Sequence, residues 1–145
     1  MLAMVAVGVW SAMASGRRMW VAPAAFIAAM LAGAVLGHLG VGLPMVETGI
    51  AVSILALGLL ILGRVELPTA AGVALVAAFA LCHGHAHGIE ASGEIASYMA
   101  GFAATTAALH LVGIAFGRVI AGSGHGSRAV GGVIAVAGAY LVASL

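Results

Sequence analysis

Residues 67–90 read LPTAAGVALVAAFALC-HGHAHGIE, and this stretch decides what kind of protein the chain is. Leu67 to Cys82 holds no charged side chain and is long enough to enter a lipid bilayer. It then runs without a break into His83-Gly84-His85-Ala86-His87-Gly88-Ile89-Glu90. Three imidazoles and a carboxylate fall within eight residues of a chain that is only 6% charged. Ionisable groups at membrane depth are expensive and mark ion or proton paths. Nitrogen with carboxylate oxygen suits a divalent transition metal of the nickel, cobalt or zinc kind.

The rest of the chain agrees with a membrane setting. It is 64% hydrophobic, with 22 glycines, five basic and four acidic residues in 145 positions. A water-soluble domain of this length carries about a quarter of its residues charged. Every base is Arg and every acid is Glu, and the net charge of +1 points to no nucleic-acid partner. The single Cys82 excludes an internal disulfide. Apolar stretches at about 2–14, 20–39, 46–62, 67–82 or a little beyond, 95–116 and 129–145 predict an all-α, polytopic transmembrane bundle. It has six segments in one membrane domain, residues 1–145. The first segment, about 14 residues, reaches roughly 21 Å and falls short of the roughly 30 Å hydrocarbon core. It reads as the back half of a helix. Ala12-Met13-Ala14 has the form of a signal-peptide cleavage site, but Arg17 and Arg18 follow the apolar run instead of preceding it.

The five Arg fall in alternate connections: Arg17 and Arg18, Arg64, then Arg118 and Arg128. The positive-inside rule puts these loops in the cytoplasm of a cell with an inner membrane. Glu47, the His83–Glu94 region and the C-terminus then lie outside. Gly33-x-x-x-Gly37 and Gly113-x-x-x-Gly117 let helices approach closely, inside the bundle or across a homo-oligomer face; packing within the bundle is the expectation.

On a helix turning about 100° per residue, His83, His87 and Glu90 stand at roughly 0°, 40° and −20°, with Glu94 near 20°. His85 points the other way. A His pair at i, i+4 shares one ion in zinc-protease helices. One straight helix does not wrap an ion by itself, so either the helix unwinds at Gly84 and Gly88 or other segments complete the shell. Metal binding is therefore assigned to His83, His87, Glu90 and His85. His110, in mid-segment, fits a neutral hydrogen-bonded core position as well as a pathway residue. His38 reads as interfacial and His125 as solvated. Glu94 is either a carboxylate backing the ligands or a helix N-terminal charge after Ser92. Cys82 reads as a small buried filler, and Trp10, Trp20 and Tyr98 as interface anchors.

His83-Gly-His-Ala-His-Gly-Ile-Glu90 resembles the HGxAHGxE signature of the HupE/UreJ family of nickel/cobalt permeases. Leu2–Trp10 resembles the stretch immediately after that family's first signature. The resemblance covers essentially the whole chain. It implies a secondary permease for Ni²⁺ or Co²⁺ that supplies a nickel enzyme such as urease or hydrogenase, with His83, His87 and Glu90 on the metal pathway. The metal is cargo; no permanent cofactor and no catalytic activity are implied. Two departures stand out. Cys82 replaces the usual Phe, and the HPxxGxDH-like first signature is expected just before Met1, since the chain holds no Asp. Half of the transport site is then expected upstream, and residues 1–145 alone are expected to transport poorly. A non-transporting metal-binding or sensing subunit is the competing class. A haem-carrying anchor would need His pairs at matched depth, and a metallohydrolase would need HExxH, which this chain lacks.

Overall fold

A computed structural model describes residues 1–13, 18–91 and 94–145. Among them are six helices and no strand: α1 Leu2–Ser11, α2 Arg18–His38, α3 Val46–Gly63, α4 Thr69–Glu90, α5 Ile95–Ala121 and α6 Gly124–Ala143. The last five are long and apolar enough to cross a membrane. Helices dominate because bilayer lipid leaves backbone amides only each other as partners. α1, at ten residues, rises only about 15 Å.

Glycine contacts define how the helices pair. Gly33 abuts Leu81 and Gly37 abuts His85, while Gly84 and Gly88 abut Met30 and Ala34, so α2 and α4 run parallel. Gly58, Gly131 and Gly138 bring α3 against an antiparallel α6. Gly113 and Gly117 lie on Val5 and Val9, making α1 parallel to α5. Both GxxxG stripes are thus used within the bundle. Phe26, Met30, Leu57, Ile61, Val7 and Val76 fill the centre. Leu59, Val119, Val133 and Val136 point outward, where lipid tails receive them.

Three boundaries differ from expectation. α4 runs past the apolar stretch that ends at about Cys82 and carries the whole cluster to Glu90. It also does not unwind at Gly84 or Gly88, because those glycines are contact points with α2. α5 runs on to Ala121, and α6 starts at Gly124, so the Gly/Ser-rich connection is mostly helical. Ser123 explains the early start, its Oγ accepting the Gly126 N–H at 3.1 Å. Trp10 is a correction as well. It is buried, and its Nε1–H donates to the Val65 carbonyl at 2.9 Å instead of anchoring at the lipid interface. Trp20, near the start of α2, is about half exposed.

The arginines gather at one end. Arg64 donates to the Ala121 carbonyl at the end of α5 and approaches Gly124, while Arg18 and Glu66 line one cleft of ≈ 190 Å³. Arg118 and Arg128 belong to the adjoining helix ends. Glu47, His87 and Glu90 lie at the other end of their helices. Arg17 and Ser92 lie outside the described residues.

Candidate metal centre

The α4 helix delivers its side chains to three different places. His83 is buried, one turn below His87, and faces α3. There Ser53 Oγ donates to its own helix at the Ile50 carbonyl, 2.6 Å away, and lies 3.0 Å from His83 Nε2. With the Ser53 proton given to the Ile50 carbonyl, the Nε2–H of His83 donates to Ser53. In that tautomer Nδ1 keeps the free lone pair, the arrangement by which a hydrogen-bonded imidazole is oriented for a metal.

His87 stands at the mouth of the bundle with its side chain 39% exposed. Its ring packs on Phe102 of α5 at a centroid distance of 4.2 Å. Its Nδ1 lies 3.9 Å from a Glu90 carboxylate oxygen and 3.4 Å from the Tyr98 hydroxyl. Glu90 is 73% exposed at the opening. His87 and Glu90 therefore stand together at the mouth, while His83, one turn deeper on the same helix, turns to Ser53 of α3.

His85 is set apart. Its Nε2 lies 2.7 Å from the Val41 carbonyl, to which it donates, and it is buried against the α2–α3 connection. Its Nδ1 has no partner among the described residues. Glu94 occupies the N-cap position of α5 and accepts from the Ser97 hydroxyl, which matches a helix N-terminal charge. Cys82 packs its sulfur against Gly49 of α3, as a filler. His38 ends α2 and His125 opens α6, both exposed. Among the described residues, no three His, Cys, Asp or Glu side chains converge into a closed ligand set. What α4 presents is an exposed pair, His87 and Glu90, with the buried His83 one turn below.

Below His83 lies Phe26 of α2, its ring 5.9 Å from His83 and 5.2 Å from His110 of α5. The phenyl ring thus packs against both imidazoles. Spacing along the chain does not single out Ser53, Phe26 and Tyr98 as partners of the cluster. Ser53 carries one signal, as the lone serine in the apolar run 50–63; the others are ordinary membrane residues until helix packing is known.

The fold is a helical membrane bundle with imidazole and carboxylate side chains at one mouth. The sequence profile of the family described as HupE / UreJ protein matches residues 1–141. The chain is 43% identical to Protein HupE of Rhizobium leguminosarum bv. viciae, across 97% of this chain and 76% of that protein. No solved structure is significantly similar to it. The chain belongs to the HupE / UreJ family, a transporter-type family of membrane proteins associated with nickel and cobalt uptake.

Proposed function

We propose that this protein is a secondary permease that carries Ni²⁺ or Co²⁺ into the cell for a nickel enzyme such as urease or hydrogenase. The ion enters by the stripe His83, His87 and Glu90. The observation that supports the reading best is the pairing of His83 with Ser53 beneath an exposed His87–Glu90 mouth. One imidazole is prepared deep in the bundle and one is offered to solvent. An open ligand set suits transport, because a pathway site must bind well enough to admit an ion and weakly enough to release it. Imidazole nitrogen favours nickel and cobalt over magnesium, which demands oxygen ligands. Protons compete with the metal for the imidazole lone pair, so uptake falls as the medium is acidified.

Deleting the gene from its host is expected to lower accumulation of radiolabelled Ni²⁺ or Co²⁺, and restoring it to recover accumulation. Each of the two ions should compete with the other, and Mg²⁺ with neither. Unchanged accumulation together with metal binding by the purified protein would favour a non-transporting sensing subunit.

The arginine-bearing end faces the cytoplasm in this proposal, and the α4 mouth faces outward. In a Cys82→Ser background, an impermeant thiol reagent applied to intact cells should label Glu47→Cys and spare Arg64→Cys. The reverse pattern would invert the topology.

A further inference from the structure

We infer that His110 is a second, deeper docking station for the transported divalent ion, one step inward from His83; this rests on the permease reading above. His110 sits near the middle of α5, 2% exposed, with neither ring nitrogen bonded to any described residue. A neutral core histidine held by hydrogen bonds, the bland reading of this position, is therefore not what the structure contains. Two unpartnered polar nitrogens inside a lipid-embedded bundle are unfavourable. Apolar packing does not call for them, since a leucine would occupy the same place without that penalty.

The neighbourhood supports a ligand. One turn before His110 on α5, Thr106 is 1% exposed and turns its hydroxyl toward Met30 Sδ, 3.4 Å away on α2. The adjacent Thr105 shows the usual alternative, donating back to its own helix at the Gly101 carbonyl. Met30 and Phe26 are themselves one turn apart on α2, and Phe26 packs edge-on to His110 at 5.2 Å. An imidazole, a hydroxyl and a thioether thus lie on adjacent turns of α5 and α2, with the Phe26 ring packed against both His110 and His83. Imidazole with a soft thioether suits a borderline ion such as Ni²⁺ or Co²⁺ far better than Mg²⁺ or Ca²⁺. This donor set is too sparse to retain an ion permanently. That is what a relay position between an outer mouth and the inner end of the bundle needs.

The test compares His110→Leu, His110→Gln and His87→Ala with the wild type in the host lacking the chromosomal gene. Three readouts are taken: radiolabelled Ni²⁺ uptake, thermal unfolding of the purified protein, and its Co²⁺ absorption spectrum. His110→Leu should unfold at a temperature equal to or above that of the wild type, because it removes two unpartnered nitrogens. It should nonetheless lose at least tenfold in uptake while its Co²⁺ spectrum at the outer mouth persists. His110→Gln, which keeps polarity but is a poor ligand, should lose uptake similarly and decides the matter if the leucine variant does not fold. Uptake within twofold of wild type in a folded variant overturns the station. So does a loss of uptake that merely tracks a lowered unfolding temperature in both. If His87→Ala also keeps full uptake, the permease pathway itself is wrong; if only the His110 variants do, the pathway stands and the station falls.

Discussion

Replacing His87 by alanine is expected to weaken Ni²⁺ and Co²⁺ binding by more than about tenfold, the lower end of what disturbing a metal site's supporting residues alone costs. His87 is the one imidazole of the cluster that solvent reaches readily, and it sits within 3.9 Å of Glu90. Without it, an arriving ion meets only an exposed carboxylate above a buried His83. Glu90→Gln should cost less, because a 73% exposed side chain holds little fixed geometry to lose. His125→Ala should change nothing, since that exposed ring opens α6 at the opposite end of the bundle. Titration calorimetry on the purified protein measures all three. Equal losses for His125→Ala and His87→Ala would remove the basis for assigning the α4 mouth.

The largest structural effect is expected from a single added methyl group. A Cβ at Gly84 would overlap the Met30 carbonyl oxygen and sit 2.9 Å from the Met30 Cα. Those are backbone atoms of the facing helix, so no side-chain rotation relieves the clash. α2 and α4 must separate, and with them the positions of His83 and Met30. Gly84→Ala should destabilise by at least the upper end of the about 1–3 kcal/mol typical of overpacking. Gly84→Val should yield little monodisperse protein. Gly101→Ala on α5, with no atom within 4 Å of the new methyl group, is the matched control and should be neutral or slightly stabilising. Equal thermal stability for Gly84→Ala and Gly101→Ala would contradict the tight α2–α4 seam.

Segment number and the placement of His83, His87 and Glu90 along one helix are legible in the sequence because each is a local property. Hydropathy over about 20 residues marks a span, and a helix of 3.6 residues per turn puts i, i+4 and i+7 on one face. Helix ends are less legible. Gly84, Gly88 and the 122–126 region look like breaks on propensity alone, since glycine is a poor helix former. Between membrane helices the same glycines admit a neighbouring backbone, and Ser123 supplies the missing cap. Trp10 departs from expectation for a related reason. A tryptophan near a segment end usually anchors at the interface, but here Gly72 opens a place for its ring and Val65 accepts its N–H. The partners of the histidines lie beyond sequence altogether. Ser53, Phe26 and Tyr98 come from three other helices, and only the glycine-directed pairing of those helices brings them to His83, His110 and His87.

X-ray absorption at the nickel edge of the Ni²⁺-loaded protein tests the central claim most directly, because it counts the imidazole rings bound to the ion. Scattering from two imidazoles beside oxygen donors is expected in the wild type, falling to one imidazole in His87→Ala and in His83→Ala alike. A shell without imidazole scattering, or one left unchanged by both substitutions, would contradict the account.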